Sequence, residues 1–411
     1  MASGKSLALV SLGCAKNAVD LQVMAGKMLS EGWRLSPDPD RADAVIVNTC
    51  SFIASAREEA EAEISRALCL KSRGNYGEVI VAGCYPQRYP QARAKFPGVD
   101  SWLGVPSKWE AQRVAGLRLT GKAFAYLKIA EGCSHKCAYC AIPAIRGPFR
   151  SRPMDAILDE AKALIATGCR ELNIVAQDPM IWRDGKNRIH DLLWALDGLA
   201  GDFWIRVLYS YPHEITGEFL DWMNTSAHAV KYIDVPLQHT VPEVLEKMNR
   251  AAAIDATLRA ADRLRAAVPG VTLRTTIMTG FPGETETRFA KMLEDLKRMK
   301  FDRLGAFAFS PEEGTAAAKM PGRPSRKVAE ERERDVMKLA KAIWRGKAKG
   351  MVGESNRALV VAPGVARLES QAPDVDGITY FEDAAAANVG DFVSIRLTGV
   401  KGFDFEGQVQ P

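Results

Sequence analysis

The chain has 411 residues, 47% hydrophobic and 26% charged, with 33 Gly, 21 Pro and a formal net charge of +5. That apolar fraction excludes a disordered chain, and the length predicts two or three domains with ample core. No apolar run reaches the roughly 20 residues of a membrane-spanning helix, and the opening MASGKSLALVSLGC reads as a first buried strand rather than a signal peptide, so the expected location is cytoplasmic.

Residues 1–120 read as a first α/β domain in which three strands each run into a cysteine. LALVSLG leads to Cys14, DAVIVNT to Cys50 and EVIVAG to Cys84. Each run is apolar, β-branched and about six residues long, as for strands covered on both faces. Helical stretches over Ala18 to Glu31 and Ser55 to Leu70 separate them, and strand–helix–strand connections of that length make a sheet parallel. All three thiols then lie at one carboxyl edge, where they can meet. The alternative is three unrelated buried thiols, a common fate of free cysteine. Cys69, inside a helix, and Cys169, after Gly168, read as packing thiols.

Residues 121–345 alternate strand and helix. Strands are expected near 124–130, 171–176, 203–209, 230–236, 271–279 and 304–310, with helices over 155–167, 255–267 and 285–299. Six parallel strands predict an open partial (β/α)6 barrel with its site at the strands' carboxyl ends. The strand text FAYLKIAEG delivers the loop GCSHKCAYC, whose Cys133, Cys137 and Cys140 have the spacing C-x3-C-x2-C. Three thiolates are one short of a closed zinc site, whereas a cubane iron–sulfur cluster on three cysteines keeps one iron open. His135 is the alternative fourth ligand of a zinc knuckle, but it sits too near its neighbours in sequence to close a tetrahedron.

Residues 320–350 carry ten Lys or Arg against four Asp or Glu, a net of +6, and read as a Pro-rich lead into a charged helix. Residues 346–411, with ALVVAPG, GITYFE and DFVSIRLTGV between Gly turns, predict a small antiparallel barrel. The stretch 351–411 has four basic and nine acidic residues, a net of −5. Its acids include Asp374, Asp376, Glu382, Asp383, Asp391, Asp404 and Glu406.

The cysteine loop, with Tyr139 before its last Cys, resembles the signature of the radical S-adenosylmethionine (SAM) superfamily. Two three-Cys groups in this order plus a terminal barrel resemble the methylthiotransferases over essentially the whole chain. SLGCAKNAVD (11–20), NTCSFI (48–53), KIAEGCSHKCAYCAIPAIRG (128–147), IVAQD (174–178), YSYPH (209–213), YIDVPLQH (232–239), MNR (248–250), TTIMTGFPGE (275–284) and FSPEEGT (309–315) are similar to the ribosomal-protein branch, RimO-type. The tRNA-modifying MiaB-type branch has a Gly-Gln-Asn ending where this chain has Ala176-Gln177-Asp178. Ala15, Leu21-Gln22 and Thr240 depart from the usual text of the branch.

The resemblance implies an N-terminal parallel α/β domain, a central radical SAM barrel and a C-terminal TRAM-like barrel. It implies two [4Fe–4S] clusters: one on Cys133, Cys137 and Cys140 that cleaves SAM to a deoxyadenosyl radical, and one on Cys14, Cys50 and Cys84 that carries sulfur. The implied reaction adds a methylthio group to the β-carbon of an aspartate in the small-subunit ribosomal protein of the decoding centre. Such a C–H bond is not acidic, so a cofactor carries the chemistry. Tyr139, Gln177, Asp178, Arg206, Gly280 and Gly283 are the expected SAM contacts. Arg206 could pair with the SAM carboxylate or serve a structural ion pair; Gln177 and Asp178 could instead belong to a turn. The expected partners are the ribosomal protein and an electron donor such as flavodoxin or ferredoxin, with a monomeric enzyme and no membrane. A tRNA methylthiotransferase would need a basic terminal barrel. A non-catalytic iron–sulfur or zinc module would bind metal without cleaving SAM.

Overall fold

The computed structural model describes residues 4–106 and 117–410. The first region is a five-stranded parallel sheet of β1 (Ser6–Ser11), β2 (Arg34–Leu35), β3 (Ala42–Thr49), β4 (Tyr76–Gly83) and β5 (Ser101–Trp102), in the order β2-β1-β3-β4-β5. The helices α1 (Ala15–Ser30) and α2 (Ala54–Ser72) connect the strands, and α3 (Cys84–Arg88) begins directly at the end of β4. Apolar layers lie on both faces of the sheet, one around Val45, Val47 and Ile64, the other around Leu7, Ile46 and Leu21. Burial on both faces is why these strands are continuously apolar rather than alternating. The edge strands β2 and β5 were not expected, since two residues are too few to show a period. Cys69 is exposed on α2, not packed, whereas Cys169 is buried and its thiol donates to the Glu171 carbonyl at 3.3 Å.

The central region opens with β6 (Phe124–Lys128), then a ribbon of β7 (Ala130–Glu131) and β8 (Arg150–Ser151) that brackets α4 (Ile142–Arg146). It continues through α5 (Met154–Ala166), β9 (Glu171–Val175), the hairpin of β10 (Arg183–Asp184) and β11 (Asn187–Arg188), α6 (Ile189–Asp197) and β12 (Trp204–Val207). Next come α7 (Gly217–Thr225), β13 (Tyr232–Asp234), α8 (Pro242–Lys247), α9 (Ile254–Ala267), β14 (Thr272–Thr279), α10 (Glu286–Met299) and β15 (Arg303–Ala308). Strands β6, β9 and β12 form one parallel ladder and β13, β14 and β15 another. Ile205 joins them, accepting from Val230 N at 3.0 Å and donating to His228 O at 2.7 Å. The six strands thus form the open half-barrel expected, its convex face buried under the helices by a core that includes Leu172, Ile174, Ile205, Leu273 and Phe289. No helix among the described residues is long and apolar enough to cross a membrane.

Helix α11 (Arg326–Met351), capped by Ser325 accepting from Val328 N at 3.3 Å, runs unbroken past residue 345 into the last region. There β16 (Ser355–Ala362), β17 (Val365–Leu368), β18 (Thr379–Phe381), β19 (Phe392–Lys401) and β20 (Asp404–Val409) close a five-stranded barrel. The segment between β17 and β18 enters the concave side of the half-barrel. Glu369 O accepts from Arg206 Nη1 at 2.7 Å, Ser370 O from Arg303 Nε at 3.2 Å, and Asp376 Oδ2 from Tyr232 OH at 2.7 Å. Asp374 accepts from Tyr126 OH, and Arg367 pairs with Glu171.

Two expectations change here. Arg206 is fully buried, bonded through Nε to Glu171 Oε1 at 2.7 Å, and its guanidinium lies 4.8 Å from the Tyr232 ring centre. It serves the structural ion pair, and its Nη2 is buried without a partner among the described residues. Asp376 is turned into the half-barrel and so does not belong to an acidic surface offered to a partner; Asp374, although it accepts from Tyr126 OH, remains exposed with Glu382, Asp383 and Glu406.

Candidate functional site

Gly132 starts the cysteine loop at φ +75, where a Cβ would lie 2.2 Å from Pro148 O and 2.5 Å from Gly147 O. Only glycine fits so close an approach at positive φ. Cys133 N donates to Gly147 O at 3.1 Å and Cys140 N to Cys137 O at 3.1 Å, which folds the three thiols onto one short loop. Burial pushes Cys133 up to about 11 and Cys140 up to about 12, and the neighbouring Cys137 adds to both. Cys137 Sγ lies 3.4 Å from Tyr211 OH. His135 does not complete a zinc site: its Nε2 lies 2.6 Å from Asp178 Oδ2, and its ring stacks on Tyr211 at 4.1 Å.

The other three thiols come together at the carboxyl edge of the first sheet. The register that pairs Ser11 with Asn48 and Thr49 with Gly83 brings the three strand ends level. Gly13, at φ +87, has room for no Cβ: one would lie 2.7 Å from Cys50 Cβ and 3.2 Å from its Sγ. Burial pushes Cys84 up to about 12 and raises Cys50, with the neighbouring thiols contributing. Cys14 goes the other way. Its packed surroundings oppose ionisation, but Lys16 and Arg146 outweigh them and lower its pKa. Among the described residues no three His, Cys, Asp or Glu side chains close around a point of single-ion size. All eight cysteines are free of disulfides.

A buried charged network joins the two triads. Arg146, ending α4, places Nη2 3.4 Å from Cys84 Sγ and also donates to Asn17 Oδ1. Its Nη1 lies 3.0 Å from Asp20 Oδ2 and 3.0 Å from both Glu131 oxygens. Lys128 donates to Asp20 and, at 2.9 Å, to Glu131 Oε2, while Glu131 Oε1 accepts from Gly132 N at 3.1 Å. Burial works against the Glu131 charge, but Lys128 and Arg146 outweigh it and hold the carboxyl below the usual glutamate range. Sequence reasoning missed all five charged or amide side chains, although Lys128 and Glu131 stand as polar letters in apolar strand-end text and Asn17, Asp20 and Arg146 as polar letters in the helical text beside the cysteines.

The remaining expected SAM contacts separate. Tyr139 meets Phe281 edge-on at 6.4 Å and its hydroxyl lies 3.4 Å from Arg250 Nη1. Gln177 Nε2 donates to Glu131 Oε1 at 3.2 Å, and its Oε1 is buried without a partner. Asp178 has both oxygens engaged, one with His135 and one accepting from Met180 N at 3.1 Å, so it orients the loop. Gly280 and Gly283 approach protein, not an open cleft. A Cβ on Gly280 (φ +74) would lie 2.2 Å from Ala329 Cβ on α11, and one on Gly283 (φ +92) 2.4 Å from Lys247 Nζ. Their turn is braced by Glu284, whose Oε1 accepts from Gly280 N and Arg332 Nη1, each at 2.8 Å. Two groups not anticipated take their place. Ser210 Oγ and Gln238 Oε1 are, like Gln177 Oε1, buried without a partner among the described residues. The three follow β12, β13 and β9 at the mouth of the half-barrel, where α/β enzymes place ligands. At that mouth their unmet hydrogen-bonding capacity is available to a polar ligand.

The radical SAM superfamily model matches residues 127–296, the TRAM domain model 352–409, and that of the uncharacterized protein family UPF0004 residues 6–104. The chain is similar to proteins named "Ribosomal protein uS12 methylthiotransferase RimO". That of Moorella thermoacetica is 39% identical over 98% of this chain and 99% of its own, and that of Pelotomaculum thermopropionicum 38% over the same shares. That of Geobacter sulfurreducens is 37% identical over 98% of each chain. In fold alone it is similar to the radical SAM methyltransferase TsrM of Kitasatospora setae, with a TM-score of 0.56 at 15% identity over 94% of this chain and 84% of that one.

Proposed function

This chain belongs to the RimO family of ribosomal protein uS12 methylthiotransferases, and from that premise we propose that it places a methylthio group on the β-carbon of an aspartate of uS12. It is a transferase of the radical SAM class, with [4Fe–4S] clusters and SAM as cofactors. The observation that carries the finer reading is the pair of three-thiol groups in separate domains, bridged by Arg146.

The residues present fit these groups. Each triad offers three unbridged thiols and, among the described residues, no fourth cysteine beside them, the donor set that leaves a cluster iron open. Cys133, Cys137 and Cys140 would hold the cluster that meets SAM, and Cys14, Cys50 and Cys84 the one that carries sulfur. When bound, the clusters and SAM supply one-electron reduction, a hydrogen-abstracting carbon radical and a methylated sulfur. The protein's own part is placement. Gln177, Ser210 and Gln238 would take the polar groups of SAM with their orphan oxygens. Asp178 holds His135 and with it the loop, Tyr211 covers that loop, and Arg146 fixes the first sheet's edge against it. Lys16 and Arg146 favour the thiolate form of Cys14.

The division at 120/121 and 345/346 is supported by family matches that stop at 104 and 296 and resume at 127 and 352. A flavodoxin- or ferredoxin-like reductant, a monomeric state and a cytoplasmic setting fit this chemistry, which needs single electrons and a ribosomal substrate. The tRNA reading is not favoured: the relatives are named for uS12, and 351–411 carries a net −5 where phosphate binding asks for Lys and Arg. The test is mass spectrometry of uS12 and tRNA from cells with and without this chain. The expected result is one methylthio group on a uS12 aspartate that disappears with the gene. Methylthiolated tRNA instead would overturn the proposal.

A further inference from the structure

Lys16 stands where local physics disfavours a lysine. It is the second residue of α1, so its charge sits at the positive end of the helix, and no acidic residue occupies that first turn. It is also only 9% exposed. A buried ammonium ordinarily has an ion-pair partner. Among the described residues no carboxylate lies within 4.0 Å of Nζ; its compensation is the Cys14 thiol, two residues before it, and the face of Tyr209, whose ring centre is 3.7 Å away. Glu131 and Asp234 act on Lys16 from further off, and both are already engaged. Glu131 holds Lys128 and Arg146, while Asp234 holds Arg274 Nη1 at 2.9 Å and accepts from Tyr209 N at 3.3 Å.

Tyr209 is itself strained. It follows β12 at φ +71, a left-handed conformation that costs an aromatic residue roughly 1–2 kcal/mol. Two locally unfavourable residues therefore meet at one point. That point has Cys14 on one side, two residues before Lys16, and the mouth of the half-barrel on the other. A molecule that reacts at both triads in turn must pass between them. Strain retained at such a junction points to a ligand.

We propose that Lys16, seated on Tyr209, is the counter-ion for the carboxylate of the side chain being modified, and so selects an acidic residue over its amide. This rests on the reading above that the substrate is an aspartate of uS12. A carboxylate brought to Nζ supplies the carboxylate partner it lacks, whereas an asparagine would leave the buried ammonium with only Cys14 and Tyr209 beside it. A site built for one charge rejects the neutral isostere on that ground.

The test measures binding of full-length uS12 to the reconstituted holoenzyme, comparing the natural aspartate with its Asp→Asn form. Wild-type enzyme is expected to bind the aspartate form at least about tenfold more tightly, as for a charge-assisted hydrogen bond. Lys16→Met should bring that ratio to near one, and Lys16→Arg should keep most of it. The Asp→Asn arm alters no enzyme residue, so it stands even where a Lys16 variant folds poorly. A wild-type enzyme that modifies uS12 yet binds both forms alike would overturn the inference and leave the function intact. So would a Lys16→Met enzyme that keeps the preference while the electron paramagnetic resonance of its Cys14-side cluster changes, since the ammonium would then serve the cluster. A wild-type enzyme that neither binds nor modifies uS12 would sink the functional reading itself.

Discussion

The two thiol triads reach similar donor sets by opposite routes. Cys133, Cys137 and Cys140 lie on one loop, and a glycine turn with a few backbone hydrogen bonds gathers them. Cys14, Cys50 and Cys84 converge only because β1, β3 and β4 lie side by side in parallel register. The loop triad is surrounded mainly by aromatic groups and its own backbone. The sheet-edge triad has room for side chains from elsewhere, and it collects the cations Lys16 and Arg146, the second of them from the segment that follows the other triad. A site assembled by topology can thus be wired to a neighbour in a way that a self-contained loop cannot.

The largest effect should come from deleting either triad. Replacing Cys133, Cys137 and Cys140 by Ala is expected to remove about half of the iron and all SAM cleavage, because thiolates are the obligatory cluster ligands. The corresponding change at Cys14, Cys50 and Cys84 should also halve the iron but leave reductive SAM cleavage measurable. Loss of all iron from a folded triple variant would erase the distinction between the two sites.

Next in size is the bridge. Arg146→Met should cost about 3–5 kcal/mol in a thermal melt, the usual penalty for leaving buried carboxylates short of a partner. Arg250→Met, on the loop side, loses stacking against Tyr211 and a hydrogen bond of 3.0 Å to Pro236 O, and should cost less. Equal losses would mean that Arg146 adds nothing beyond ordinary packing.

Thiol reactivity separates the triads by rate rather than stability. In metal-free protein, Cys14 is exposed and its pKa is lowered from 9.0, while Cys133 stands at about 11 and Cys140 at about 12. Only thiolate reacts, so iodoacetamide at pH 7 should label Cys14 about a hundredfold faster than Cys133. Raising the pH should accelerate Cys14 at a lower pH than Cys50, Cys84, Cys133 or Cys140, and peptide mapping of the label would read it directly. Faster labelling of Cys133 would reverse the electrostatic contrast.

The smallest effects belong to the two glycines. Gly132→Ala and Gly13→Ala each force a side chain into positive φ, at roughly 1–2 kcal/mol before any clash. Each is expected to lower iron retention at its own triad only, seen as loss of one of two spectroscopic signals. Gly132→Ala should be the worse, since its Cβ meets two backbone carbonyls that cannot swing aside.

Six strands of the half-barrel and the cysteine-ended strands of the first sheet were legible because apolar runs of five to eight residues carry a clear pattern. The terminal barrel was legible from alternation between glycine turns, but not its one parallel pair, β18 with β20, in a barrel expected to be antiparallel throughout. The two-residue edge strands carry no period. The Arg146 network was invisible because its members lie apart in sequence and each alone looks like an ordinary polar residue. Gly280 and Gly283 did signal close approach, but a glycine does not say what approaches, and here it is α11 and Lys247. Arg206 was equally ambiguous, since a strand arginine pairs with whichever carboxylate the fold supplies, and that is Glu171. The acids of the tail were counted correctly, yet a net charge does not tell which carboxylates turn inward to tyrosines.

The plug formed by residues 369–376 has a consequence for the order in which this protein can be made. Glu171, Arg206, Tyr126 and Tyr232 are all synthesised long before Arg367, Glu369, Asp374 and Asp376, their respective partners across the concave side of the half-barrel. A chain still on the ribosome holds the thiol loop and all six strands while the polar inner face of the half-barrel stays open to water. The enzyme therefore completes its catalytic domain only once residues 367–376 are made, and a nascent chain stopped before β17 would carry all eight cysteines but no finished barrel to hold them in place.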